Sequence, residues 1–444
     1  MKVFPEKRVR IEKLRPDLRG EGVFEEKFYS FPYTQLGDEV LFEERGRGNR
    51  RHLVVKDILR REAIHAKCSH YTQCGGCTGQ HIPYKEQFLL KTGSLADRVK
   101  NEFRVTPVLV EATQQFYYRN RMDFAVFPEK LIGLHQAGNF RKVVDIEYCH
   151  IQNEEANRDF FAFRRTLDEF PGIVFHRKTE EGFLKYATYR RGIFTDDSLF
   201  ILTFVKGFEN APEIRRLEER ILQNLKSKNI VFCFNRKKAE VSATGEFLAI
   251  RGNPHYEEKL FGKIFKIPFD SFFQPNPKGF LPILEFIRDR LSEKNDTLVD
   301  LFCGSGFFSR LFGENFSEIL GFDFVASSIE EANQTLGMEF PEKKIKFSQY
   351  NLFGAEDDLF REIRIQGKNV LILDPPRSGA GEKLSRLIRD SSFQEIFYVS
   401  CNPKSQLEDL KIISESFHLA EFLFTDPYPQ TPHIETVAYL KRMK

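Results

Sequence analysis

A chain of 444 residues is long enough for two to four domains, and its 41% apolar and 30% charged composition excludes a disordered or fibrous protein. Its 67 basic residues nearly balance 64 acidic ones, so a net charge of +3 selects no partner by itself, and no stretch approaches the ~18 apolar residues that span a bilayer. The opening MKVFPEKRVR lacks the apolar core of a secretory signal, which makes the cytoplasm the expected location and makes the seven cysteines metal ligands or catalytic groups before disulfides.

Residues 1–62 carry the strand-like patches EGVF, KFYSF, GDEVLFE and HLVVKDIL, separated by Gly and polar residues as in a small β-barrel. Within this stretch RGRGNRRHLVVKDILRR (45–61) sets seven Arg or Lys against the single Asp57, a local excess of +6. Such a rim suits a phosphate backbone, and its plainer reading is a solvated face. Residues 63–265 open on CSHYTQCGGC (68–77), which holds three of the seven cysteines. The rest of this region reads as β-rich, with hairpin-like runs such as MDFAVFPEKLIGLH (122–135) and YATYRRGIF (186–194). FYYRNR (116–121) and YRRG (189–192) interleave rings with Arg, the mixture that stacks bases and binds phosphates, though sheet edges produce it too.

The pattern changes over 266–444. LVDLF, EILGFDF, IKFSQYNLF, NVLILDPP and EIFYVSCNP are short apolar strands, most separated by helix-length segments, which predicts a doubly wound parallel sheet. Ligands of such sheets gather at the carboxyl ends of the strands. DLFCGSGFFSRLF (300–312) runs from a strand through a Gly-Ser-Gly turn into a helix, but Ser309 stands where a dinucleotide fingerprint has its third glycine. Asp323 closes the next strand, 17 residues after Gly306, where a carboxylate can accept hydrogen bonds from both ribose hydroxyls. One glycine turn and one acid, with no phosphate-binding lysine, suit a nucleoside without phosphates, and S-adenosylmethionine (SAM) fits best. DPPR (374–377) ends a further strand in a rigid turn that presents a polar group at the same edge.

Two more motifs, SCNP (400–403) and TPHIET (431–436), join DLFCGSG, DPPRSG and FFQPNP in an order that resembles the SAM-dependent RNA uracil-C5 methyltransferases. The iron–sulfur branch is the nearest match, since CSHYTQCGGCTGQHIPYKEQ (68–87) looks like its cluster segment and DIEYCHIQ (145–152) like the source of its distant ligand. The resemblance covers nearly the whole chain and implies three parts: an OB-like TRAM barrel over 1–62, a central β-rich domain with the cluster over 63–265, and a Rossmann-like class I methyltransferase domain over 266–444. Cys68, Cys74, Cys77 and Cys149 form C-x5-C-x2-C-x71-C, a spacing that zinc and iron–sulfur centres both accept. The family places a [4Fe-4S] cluster there. It further implies Cys401 as the nucleophile, Glu435 as the base, and Gln274, Phe302, Gly304, Asp323, Asn351 and Asp374 at the cofactor, with Asp374 also next to the uracil. His433 is a rival base and Arg377 a support for RNA or the catalytic loop. Cys233 and Cys303 read as structural. Phe307 departs from the Asn that many relatives carry after the G-x-G turn.

The implied substrate is a uridine flipped out of RNA, with 23S ribosomal RNA preferred and the tRNA T-loop as alternative, and the protein is expected to act as a monomer away from membranes. Two readings from other classes compete. A non-catalytic RNA-binding protein should have lost the nucleophile, base or cofactor acid, yet Cys401, Glu435 and Asp323 are present. An adenine amino-methyltransferase needs no nucleophilic Cys, and DPPR lacks the aromatic residue that usually follows the double proline of such enzymes.

Overall fold

The computed structural model describes residues 5–46, 52–60, 63–354, 359 and 367–443. The chain divides into two compact units. Met1–Leu90, Gln114–Lys278 and Tyr428–Pro432 form the first, and Lys91–Thr113, Gly279–Pro427 and His433–Lys444 form the second.

The first unit begins with β1 (Lys7–Arg10), β2 (Lys13–Leu14), β3 (Gly20–Phe24), β4 (Lys27–Phe31), β5 (Glu39–Arg45) and β6 (His52–Leu59). They pair antiparallel as β1-β5-β6 and β2-β3-β4, and alternation directs Val9, Tyr29, Phe31, Val40 and Phe42 into one small core. Gly22 is required where β3 passes β1, because a Cβ there would meet the Arg10 carbonyl. Of the basic stretch 45–61, Arg47, Arg50, Arg51 and Arg61 lie outside the described residues. Arg45 and Lys56 both pair with Glu43, at 2.8 and 2.9 Å, and Arg60 pairs with Asp38 at 3.3 Å. The described part of the rim is therefore charge-compensated.

Helix α1 (Tyr84–Phe103) and β7 (Val108–Val110) follow, then β8 (Arg121–Phe127), β9 (Leu131–Gln136), β10 (Asn139–Asp145), α2 (Glu154–Leu167), β11 (Leu184–Arg191), β12 (Ser198–Val205), α3 (Pro212–Asn224), β13 (Asn229–Asn235) and β14 (Glu246–Arg251). These strands from β8 onward make a seven-stranded sheet of order β10-β9-β8-β11-β12-β13-β14. All pairs are antiparallel except β12/β13, which the α3 crossover joins in parallel. The helix α2 covers this sheet through Phe160 and Phe163, whose rings pack on Phe124 and Phe200 at 4.4 to 5.5 Å. The expected hairpin over 122–135 is β8/β9. Of the two readings left open for YRRG, Tyr189 and Arg190 follow the structural one: β11 lies inside the sheet, both are 2% exposed, and Arg190 pairs with Asp123 at 3.0 Å. A two-stranded ribbon, β15 (His255–Leu260) and β16 (Lys263–Pro268), follows in the same unit.

The second unit is built from α4 (Pro277–Arg288), β17 (Asn295–Leu301), α5 (Phe307–Phe312), β18 (Phe316–Asp323), α6 (Ala326–Glu339), β19 (Lys344–Gln349), β20 (Asn369–Leu373), α7 (Gly381–Asp390), β21 (Glu395–Ser400), α8 (Pro403–Ile413), β22 (Phe417–Thr425) and β23 (Glu435–Arg442). Its sheet runs β19-β18-β17-β20-β21-β23-β22-β7. The strands β19 to β21 are parallel, and their apolar runs are buried as expected for a sheet covered on both faces. The strand β23 enters antiparallel to both neighbours, and β7 adds parallel to β22. Order reverses around β17, so the crevice at its carboxyl end is the natural ligand position. No helix among the described residues is long and apolar enough to cross a membrane.

Candidate active site and thiol pocket

The end of β17 is shaped for close approach. Phe302, Gly304 and Gly306 all take left-handed backbone, at φ +60°, +53° and +81°. For Phe302 this is a strained conformation of the kind that marks functional turns. A Cβ on Gly304 would meet nothing within 4 Å, so that face of the turn is open. Asp323 braces the turn from β18: its Oδ2 accepts the Gly304 N–H at 3.0 Å and its Oδ1 the Val325 N–H at 2.9 Å. A carboxylate has about four acceptor positions, which leaves capacity for two ribose hydroxyls. Ser309, the residue in place of a third glycine, is fully buried and donates its hydroxyl (2.7 Å) and its N–H (3.2 Å) to Asp300. Burial pushes the Asp300 carboxyl up to about 7. Phe307 packs instead against Phe280 and Phe308. Asn351 follows β19 and accepts the Phe353 N–H at 3.2 Å, while the Phe353 ring lies 5.4 Å from that of Phe302. Phe324 and Phe353 are 66% and 51% exposed beside this turn, an apolar surface that the motif pattern did not single out. Gln274 is carried by the first unit, and the other cofactor candidates by the second.

The register of the sheet assembles the second constellation. In the antiparallel β21/β23 pair Ser400 stands opposite Thr436, so the residue after one and the residue before the other, Cys401 and Glu435, face each other. Thr436 donates to the Ser400 carbonyl at 3.0 Å and to Gln406 at 2.8 Å, which fixes that register from the side chains as well. Asp374 ends the neighbouring β20. Burial pushes its carboxyl up to about 7. Burial, reinforced by Asp374 and opposed by Arg377, holds Glu435 well above the usual carboxylate range. The Cys401 thiol is pushed up to about 11 by burial and then by Glu435 and Asp374, against the pull of Arg377. These four groups therefore share one electrostatic neighbourhood. Asn402 was missed as a positioning group: its amide donates to the Arg377 carbonyl at 2.8 Å and ties the SCNP turn to the DPPR turn. The His433 side chain is exposed, unlike that of Glu435.

In the first unit Cys68, Cys74, Cys77 and Cys149 line one pocket, together with Leu134, Ile146 and Ile151. Asn157 holds the distant member by donating to the Cys149 carbonyl and accepting its N–H, both at 2.9 Å. The Gly76 N–H donates to the Cys74 sulfur at 3.3 Å. No group of three or more His, Cys, Asp or Glu that could hold a metal ion occurs among the described residues, so the geometry of these thiols gives the expected [4Fe-4S] cluster no support. Cys233 is wholly buried beside Thr203, and Cys303 is buried within the glycine turn.

The sheet order, the glycine turn and the braced acid define a class, the SAM-dependent methyltransferases of Rossmann-like fold. Residues 257–443 match the family described as tRNA (Uracil-5-)-methyltransferase. An uncharacterized RNA methyltransferase of Leptospira interrogans is 44% identical over 438 residues, 98% of this chain and 96% of the relative. The chain belongs to the RNA (uracil-5-)-methyltransferase family and is a SAM-dependent enzyme. It is similar to the tRNA (uracil(54)-C(5))-methyltransferase of Pyrococcus furiosus, at 28% identity over 98% of this chain and 99% of that one. The crystal structure of the Pyrococcus abyssi tRNA (uracil-54, C5)-methyltransferase with S-adenosyl-L-homocysteine matches with a TM-score of 0.76 and 26% identity, over 98% of this chain and all of that one.

Asp323→Ala removes the brace of the Gly304 turn and, with it, the acceptor that the sequence leads one to expect for the ribose. Hydrogen bonds to a charged group contribute about 1.5–3 kcal/mol, so binding of S-adenosylhomocysteine should weaken about 10- to 100-fold in calorimetry. Unchanged affinity would remove Asp323 from the cofactor site.

Proposed function

We propose that this enzyme methylates C5 of a tRNA uridine through a covalent adduct between Cys401 and C6 of the uracil. The observation that carries this reading is the β21/β23 register, which sets a thiol and a buried carboxyl face to face beside Asp374. Uracil C5 is a weak nucleophile. Addition of the Cys401 thiolate to C6 pushes the C5=C6 electron pair into an enolate, and C5 becomes nucleophilic. SAM supplies an electrophilic methyl on a sulfonium. With the new C5–methyl bond formed, Glu435 takes the C5 proton, the electrons return to C5=C6 and the Cys401 thiolate leaves. Asp374 orients the uracil edge, and Phe302, Gly304, Asp323 and Asn351 hold the cofactor. RNA in which the uracil C5 carries deuterium tests the reaction, since C5 methylation must release that label and amino methylation must not.

Two relatives that match over nearly their whole lengths are named for uridine 54 of tRNA, which supports tRNA over the 23S ribosomal RNA that the sequence motifs favoured. Mapping of 5-methyluridine in tRNA and ribosomal RNA, from cells with and without the gene, decides between them. Loss of signal from 23S RNA alone would overturn the tRNA reading.

The four thiols would hold a [4Fe-4S] cluster. Four thiolates suit zinc and iron–sulfur centres alike, and the resemblance of residues 68–87 and 145–152 to the iron–sulfur branch favours the cluster. Bound there, the cluster would tie the segment around Cys149 to the 68–77 loop, and no step of the reaction runs through it. Protein purified without oxygen should contain iron and sulfide in amounts that Cys74→Ser largely abolishes. Stoichiometric zinc without iron would refute the assignment.

A further inference from the structure

The first unit contains a cavity of about 520 Å³ outside the Cys401 site, sharing Tyr148 with the thiol pocket and within the size range of small-ligand pockets. Its wall includes Tyr117 and Tyr148, with ring centroids 6.3 Å apart in an edge-on arrangement. Lys67 lies over the Tyr117 ring at 4.6 Å, and the Tyr117 hydroxyl contacts His150 at 3.1 Å. The ring positions are thus fixed before any ligand arrives. Five charged groups line the cavity, and Arg158 pairs with Glu155 at 3.4 Å. Arg191 is engaged by Glu155 and by Asp196, whereas Glu154 and Lys278 are exposed and have no ion pair among the described residues. A single tyrosine ring face, a carboxylate and an ammonium outside any described ion pair match the three parts of a nucleotide: a stacking face, an N–H edge and a phosphate.

We propose that this cavity is a subsite for one unpaired guanine nucleotide of the RNA, distinct from the pocket for the uridine that is methylated. Guanine is the base whose Watson–Crick edge sets two N–H donors side by side, at N1 and N2, for a carboxylate such as Glu154. The ring stacks on Tyr148 or Tyr117, and Lys278 meets the phosphate. The proposal rests on RNA being the substrate and is independent of the Cys401 chemistry.

The test uses the full-length enzyme and tRNA transcripts. Tyr117→Ala and Glu154→Gln should raise the KM for RNA about tenfold, within the range of base–aromatic stacking, with kcat falling far less. Iron content and fluorouracil trapping at Cys401 should persist, which separates loss of this subsite from failure of the adduct reading. Inosine, which lacks the N2 amine, should replace one guanosine near the target at a cost to wild type that Glu154→Gln no longer shows. Ultraviolet cross-links from Tyr117 or Tyr148 should map to that guanosine. Unchanged KM in both variants, or cross-links to the target uridine or to another base, would overturn the proposal.

A separate observation concerns Lys91. It is 2% exposed, pairs with the fully buried Asp426 at 2.7 Å and donates to the His433 carbonyl at 3.2 Å. Asp426 leaves β22 and His433 leads into β23, so one ammonium ties both ends of the turn that delivers Glu435. The geometry points to Lys91 as a positioning residue for removal of the C5 proton. Lys91→Met alone removes the ammonium that balances the buried Asp426 carboxylate and endangers folding. Lys91→Met with Asp426→Asn removes both charges, and its thermal midpoint should return towards wild type. The tie from Lys91 to the His433 carbonyl stays broken in that double variant, and turnover should fall about 10- to 100-fold, the effect of a small misplacement of a reacting group. The slowed step should also show a larger isotope effect with 5-deuterated uridine than wild type does. Wild-type turnover with an unchanged isotope effect would make the Lys91–Asp426 pair purely structural.

Discussion

Cys401→Ala is expected to lower RNA methylation by about 10⁴-fold or more, the scale on which enzymes lose activity with their nucleophile, while S-adenosylhomocysteine binding stays intact. The separation follows from where the groups sit: Asp323 and the Gly304 turn end β18 and β17, and Cys401 ends β21. RNA carrying 5-fluorouracil should trap the wild-type enzyme covalently, because fluorine cannot leave as a proton does, and the Ala variant should form no adduct. The rate of trapping reports on the thiol. With the thiol pushed up to about 11, the thiolate is a minority at neutral pH and grows about tenfold per pH unit. Trapping should therefore accelerate steadily with rising pH below that value. A plateau above about 7 would instead mark the point where the Asp374 acid has lost its proton, and would make Asp374 the acceptor of the thiol proton. An adduct that survives in Cys401→Ala would move the nucleophile to another thiol.

The parts of the site that were legible in the sequence are those written in contiguous residues. DLFCGSG announces a strand, a turn that needs left-handed backbone and a helix, and that is the local structure around Gly304. Relations between distant segments were not legible. Cys401 and Glu435 are separated by a helix and a strand, and only the antiparallel entry of β23 brings them opposite each other. YRRG has the composition of an RNA-binding edge, but β8 and β12 flank its strand on both sides and turn Tyr189 and Arg190 into core. The second unit recruits Lys91–Thr113, far upstream of the motif-bearing region, because β7 extends the sheet at β22. No periodicity announces that pairing. Asp300 and Ser309 show the same limit at short range: the missing third glycine reads as a defect until the buried hydroxyl is seen to satisfy a buried acid.

Glu435→Gln should stop the reaction after the methyl has moved. Burial, reinforced by Asp374, raises the Glu435 carboxyl well above the usual carboxylate range, and a carboxylate of raised proton affinity is the stronger base for the C5 proton. Glutamine keeps the shape and a hydrogen-bonding oxygen but has no basicity. The variant should therefore add to C6, transfer one methyl and stall, and a methylated, denaturant-stable protein–RNA complex should accumulate with ordinary uridine. General bases commonly contribute ~10²–10⁴-fold, so slow leakage to product is compatible with the role. Near-normal turnover without a trapped complex would pass the base role to His433 or water. A variant that never transfers the methyl would instead make Glu435 a group that positions the uracil, since its loss would then act before the proton is at issue.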